Sequence, residues 1–186
     1  DTVSLSHFRI LDLLPVMTLA AQATRTAAVG ACVTNPVTRH LSVTANAFAT
    51  VDHIAGGRTV LGIGSGDTAL YLLGKKFVNL AGMRETLTVL RALLDGEPVI
   101  YEGQELCSNW RKSDLPIFLA ADGPKMLALG GELADGLIVG AGLSPEVIDW
   151  VRGCVAEGEA RAGRGQGTTP IWVDGIVNFG PDREAV

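Results

Sequence analysis

The sequence predicts an α/β protein built on a parallel sheet, and three observations carry that prediction. Short strand-like runs such as Thr59–Ile63 and Gly136–Val139 are apolar on both faces, as strands covered on both sides must be. Segments with helical spacing of apolar residues separate them. Small aliphatic side chains dominate: apolar residues make up 47% of the 186, aromatic ones only 5%, and glycines number 23. A chain of this size buries a core of its own and reads as one domain, or part of a larger one.

The elements follow in order. Pro15 suits the first turn of a helix, and Val16, Leu19, Ala20 and Ala23 continue it at helical spacing. Residues 27–34 form a near-continuous apolar strand ended by Asn35-Pro36. Across residues 38–54, Val43, Ala47, Val51 and Ile54 make one apolar stripe, stopped by Gly56-Gly57. The strand Thr59–Ile63 comes next, then a helix marked by Met83, Leu87, Leu90 and Leu94 that ends near Gly96. Residues 98–101 and 104–107 flank Glu102-Gly103 as a hairpin. A strand over 116–120, a helix over Pro124–Leu133, the strand Gly136–Val139, a helix over 145–162 and a strand over 171–179 complete the chain.

Five main strands alternate with four helices. Periodicity alone does not separate an open doubly wound sheet from a (β/α)₈ barrel, and five strands are too few to close a barrel. Both architectures place the active site at the carboxyl ends of the strands.

Bulk properties exclude several classes. A net charge of −5 without a basic block argues against a nucleic-acid partner. No apolar run reaches the roughly 18 residues of a membrane span, and no signal peptide is visible. Cys32, Cys107 and Cys154 are odd in number and far apart, which argues against a disulfide framework or zinc site and for a reducing cytoplasm. His7, His40 and His53 have no metal-binding spacing, so no metal is expected. The chain starts at Asp1 without a methionine and stops at Val186 after an apparent strand; both ends are expected to be truncated.

The stretch 58–67 is the most informative. Gly62, Gly64 and Gly66 remove Cβ atoms where another group must come close, and Asp67 follows them. A tight turn is the plain alternative. The spacing fits neither a Rossmann fingerprint nor a Walker loop. Strand ends add Cys32, Val33, Thr34 and Asn35, then Ser65, then Ala121 to Lys125, then Gly140 and Ala141. These small, polar groups suit a flat, hydrogen-bonding ligand. Asp122-Gly123-Pro124-Lys125 is the best phosphate candidate, because helix N-terminal amides favour an anion and Lys125 adds charge. An Asp122 N-cap is the alternative. Arg39 reads as an anion contact or a solvated arginine, and His40 as a capping or packing residue.

Three segments together resemble one family: Val33-Thr34-Asn35-Pro36-x-Thr38-Arg39-His40; Gly56-Gly57-Arg58-x-x-Leu61-Gly62-x-Gly64-x-Gly66-Asp67; and Gly123-Pro124-Lys125-Met126-Leu127 with Ala134-Asp135-Gly136. They look like the luciferase-like flavin and deazaflavin oxidoreductases, in the branch of the coenzyme F420-dependent methylenetetrahydromethanopterin reductases. The resemblance implies a (β/α)₈ TIM barrel, present here as a partial barrel of about strands three to seven. It implies a bulge with a non-prolyl cis peptide at Cys32–Val33, backing the cofactor ring.

By the same resemblance, Thr34 and Asn35 border the ring, Gly64, Ser65 and Gly66 line its other edge, and residues 123–125 hold the phosphate or tail. Ala121 and Gly140 complete the expected cofactor site. Asp67 is the expected catalytic acid, donating a proton or orienting the substrate. The implied function is F420-dependent hydride transfer with a small organic substrate, with FMN-dependent monooxygenation as the other cofactor option. The full-length protein is expected to be a homo-oligomer. Two rivals remain at this level: a non-redox barrel enzyme that grips a phosphorylated metabolite, and a cofactor-binding subunit without turnover.

Overall fold

The computed structural model describes residues 2–5, 12–66, 68–109 and 112–175. Strands β1 (Thr2–Leu5), β2 (Ala28–Ala31), β3 (Thr59–Ile63), β6 (Ile117–Ala120), β7 (Gly136–Val139) and β8 (Ile171–Val173) form one sheet in the order β1-β2-β3-β6-β7-β8. Every pairing in it is parallel. Helices α1 (Leu13–Ala23), α2 (Leu41–Ala55), α4 (Leu80–Asp95), α5 (Pro124–Leu133) and α6 (Pro145–Arg161) connect the strands. A short helix, α3 (Thr68–Leu72), precedes α4, and β4 (Val99–Tyr101) pairs antiparallel with β5 (Gln104–Leu106) as a separate hairpin.

The five expected strands and the hairpin are present. The sheet also has a sixth strand, β1, which the sequence reading did not count, and α3 was not anticipated. The last strand stops at Val173 rather than running on to 179; residues 176–179 lie outside the described residues.

Alternation along the strands decides the architecture. Leu61 and Ile63 of β3, Ile117 and Leu119 of β6, and Leu137 and Val139 of β7 join the main core with the helices. Their neighbours Val60, Phe118 and Ile138 form a second, smaller cluster against Cys32, Val33 and Ala120, without any helical residue. Trp172 of β8 extends that layer, its ring centroid 4.3 Å from that of Phe118. A doubly wound sheet would need helices on both faces. Among the described residues the helices cover one face only, and the other is an inner layer of strand side chains, as in a barrel wall.

The helices start and stop for ordinary reasons. Asn79 and Ser144 cap α4 and α6 by accepting from Gly82 and Val147 amides, and Gly56 and Gly96 end α2 and α4 in the left-handed region. Helices α5 and α6 touch closely where Gly131 and Gly158 meet the opposite backbones.

Glu159 anchors the turn between α6 and β8. Its carboxylate is 1% exposed. It accepts the Gly167 and Thr169 amides, each at 2.7 Å, and the Thr168 hydroxyl at 3.4 Å. Burial pushes its pKa up, but the hydrogen bonds outweigh burial and hold it below the ordinary 4.5. A carboxyl whose pKa is lower folded than unfolded adds stability that is complete above the unfolded value and is lost as pH falls through the folded one. Urea unfolding should therefore show steady stability down to about pH 5 and a decline below it. E159Q should cost about 1–3 kcal/mol at neutral pH and make that acid decline shallower.

Candidate active site

The carboxyl ends of the strands enclose a cleft of about 550 Å³, a size ordinary for a small-molecule site. Cys32 and Val33 reach it from beyond β2, Gly64, Ser65 and Gly66 from beyond β3, and Ala121, Asp122 and Gly123 from beyond β6. Ile138 and Gly140 come from β7 and its end, and Asp174 follows β8. Ala120 at the end of β6, Phe77 between α3 and α4, and Met126 in the first turn of α5 complete the lining.

A bulge turns the β2 end into the cleft. Val29 pairs with Thr59 and Gly30 with Val60, so an unbroken register would set Val33 beside Ile63. Thr34 stands there instead. One extra residue is accommodated between Ala31 and Thr34, and the Cys32–Val33 peptide within it is cis. The ladder then resumes: the Thr34 amide donates to the Gly62 carbonyl at 2.9 Å, and the Gly64 amide to the Thr34 carbonyl at 3.0 Å. Both the bulge and the cis bond match what the family resemblance implies.

The three alternate glycines do three different jobs. A Cβ on Gly62 would stand 2.0 Å from the Ala31 carbonyl oxygen, so this glycine lets β2 and β3 approach. Gly66 has φ +93° and its added Cβ would lie 2.3 Å from Cδ1 of Leu70, which is fully buried. At Gly64 an added Cβ would meet other cleft-lining residues, 3.2 Å from Val33 Cγ2 and 3.4 Å from the Ala120 Cβ.

At the next strand ends a side chain takes over from the backbone. The Ala121 amide donates to the Ile138 carbonyl at 3.0 Å, and the following rung is the Gly140 amide donating to Asp122 Oδ1 at 2.7 Å. Asp122 does not cap α5. Gly123 occupies the cap position without any side-chain cap bond; Pro124 has no amide hydrogen and the Met126 amide donates to the Gly123 carbonyl at 3.0 Å, so within the first turn the Lys125 amide is the donor left without a partner among the described residues. Among the described residues lining the cleft no lysine, arginine or histidine appears, whereas two carboxylates do, Asp122 and Asp174.

Eight of the expected cofactor residues thus share the cleft: Cys32, Val33, Gly64, Ser65, Gly66, Ala121, Gly123 and Gly140. Thr34 and Asn35 do not line it. Asn35 is 8% exposed, and its side-chain oxygen accepts the Val37 and Thr38 amides, each at 3.0 Å, which shapes its own turn. Pro124 and Lys125 face a separate cavity of about 390 Å³, shared with Arg84 and Arg161. Asp67 lies outside the described residues. Arg39 pairs with Asp12 at 2.7 Å, and His40 caps α2. Cys32, Cys107 and Cys154 are free thiols.

Five lining residues escaped the sequence reading, and one of them, Ala120, is the last residue of β6, one short of the strand-end residues expected to face the ligand. Phe77 sits in a loop without periodicity, and Ile138 is a strand-interior residue of the inner layer. Met126 is one of several apolar helix positions. Asp174 was hidden because the last strand was expected to run past it; the strand-end rule would have found it.

The family model for luciferase-like monooxygenases matches residues 2–186. The chain belongs to this family. Among its relatives, a 5,10-methylenetetrahydromethanopterin reductase of Archaeoglobus fulgidus is 35% identical over 165 residues, covering 85% of this chain and 49% of the relative. An F420-dependent glucose-6-phosphate dehydrogenase of Beutenbergia cavernae is 31% identical over 182 residues, covering 91% of this chain and 54% of the relative. The solved coenzyme F420-dependent tetrahydromethanopterin reductase of Methanopyrus kandleri superposes with a TM-score of 0.82 at 30% identity, over 93% of this chain and 57% of that one. The chain spans about half the length of the curated relatives it matches. Its curled parallel sheet is accordingly part of the family's barrel.

The glycine assignments have a direct test. Gly66→Ala should destabilise the fold by about 1–3 kcal/mol, since a Cβ is strained at that φ and meets an immobile Leu70. Gly64→Ala should stay within about 1 kcal/mol of wild type, because two side chains can give way. Urea midpoints with unchanged slopes would measure both.

Proposed function

We propose that the full-length protein is an F420-dependent oxidoreductase that transfers a hydride to or from a small organic substrate, and that this chain is part of a single barrel domain. The observation that carries the reading is the cleft itself: small residues from four adjacent strand ends leave a cavity of about 550 Å³ beside the apolar side chains of Val33, Met126 and Ile138. Relatives named as F420-dependent support the choice of cofactor.

The residues present fit such a group. Val33, Ile138 and Met126 offer apolar surface for a planar ring, and Gly64 keeps the cleft open where a side chain would narrow it. Beyond Gly123, the uncapped start of α5 offers a phosphate the Lys125 amide and the positive end of the helix, while Pro124 has no amide hydrogen and the Met126 amide donates to the Gly123 carbonyl. F420, when bound, supplies the hydride chemistry at its deazaflavin ring, and the protein supplies position. Val33, placed in the cleft by the bulge, would pack against the ring, and Phe77 would add apolar surface at the cleft margin. Asp67 is assigned the proton-donating or substrate-orienting role.

Titrating F420 and FMN separately into the full-length protein should give a shifted absorbance and tight binding with F420, and at least about tenfold weaker binding with FMN. No response to F420 overturns the reading. Asp67→Asn should lower turnover by about 10²–10⁴-fold while keeping F420 affinity, as expected of a proton donor.

A further inference from the structure

We infer that Asp122 selects the hydroxyl-bearing chain of the ligand, accepting a hydrogen bond from it with one carboxylate oxygen while the other staples β6 to β7. The inference rests on the reading of the cleft as an F420 site.

The staple is explicit: Asp122 Oδ1 accepts the Gly140 amide at 2.7 Å. That amide is therefore taken and is not offered to a ligand. What the β6–β7 corner presents to the cleft is the remainder of a carboxylate. A carboxylate has about four acceptor sites, and among the described residues this one uses a single site. No ion pair engages Asp122 among the described residues. Both carboxylate oxygens lie 3.7 Å from where a Gly140 Cβ would stand, so the group lies broadside over the glycine, and among the described residues the second oxygen has no hydrogen-bond partner.

Chemistry then orders the ligand along the loop. Asp122, with Asp174 also lining the cleft, repels phosphate and favours hydrogen-bond donors. Just beyond it, the positive end of α5, where no side chain caps the helix and the Lys125 amide has no partner among the described residues, favours an anion. A ligand whose ring, hydroxylated chain and phosphate come in that order meets matching partners in that order. Replacing a backbone donor by a side-chain acceptor thus sets which part of the ligand lies at this corner.

The test uses the full-length protein and three probes: F420, its ribityl deazaflavin core without phosphate, and the bare deazaflavin ring. Asp122→Ala should weaken binding of F420 and of the ribityl core by about tenfold or more, the range for a hydrogen bond to a charged group. Binding of the bare ring should change by less than about twofold. Asp122→Asn keeps an oxygen for the Gly140 amide, so it should retain the wild-type melting temperature yet still lose affinity for the ribityl core. Equal losses for core and bare ring would reduce Asp122 to a structural staple and overturn the inference. If the wild-type protein bound none of the three probes, the reading of the cleft would fall and the inference with it.

Discussion

The cleft depends on the alternation of side chains along β3, β6 and β7. Odd-numbered residues of these strands pack under the helices, and even-numbered ones form an inner layer around Val60, Phe118 and Ile138. Because successive residues of a strand point to opposite faces, a one-residue slip would exchange the two layers. The register is therefore held by the whole helix-side core. The single permitted slip, between Ala31 and Thr34, lies at the carboxyl end of β2, where it redirects Cys32 and Val33 into the cleft.

That slip also separates supporting residues from lining ones. Thr34 returns to the ladder and Asn35 turns its oxygen onto its own loop, so the wall they build stands behind the residues that face the cleft. A similar division holds at β6. Asp122 and Gly123 face the cleft, while Pro124 and Lys125, one helical step on, face a second cavity on the helix side. Residues adjacent in sequence thus serve different surfaces.

Much of the fold was legible because its signals are local. Helix stops at Gly56 and Gly96, the hairpin turn at Glu102-Gly103 and the doubly apolar strands each carry their cause within a few residues. The site was legible through one geometric rule, that parallel strands present their carboxyl ends. It failed where a strand end was misplaced, as at Asp174, or where a lining residue comes from a loop, as with Phe77. The role of Asp122 was missed for another reason: a cap bond to α5 and a staple to Gly140 look the same in sequence.

The sequence alone determined the alternation of strands and helices, the parallel sheet and the segments that approach a ligand, since hydrophobic period and turn chemistry are short-range properties. Tertiary structure decided which face the helices cover, and hence barrel wall over doubly wound sheet, because that depends on packing between distant segments. It also decided what each glycine of the 58–67 stretch is for. Gly62 meets a neighbouring strand; Gly64 and Gly66 both line the cleft, but an added Cβ would meet Val33 and Ala120 at Gly64 and the buried Leu70 at Gly66. A missing Cβ is visible in sequence, but the atom that would have met it comes from elsewhere in the fold.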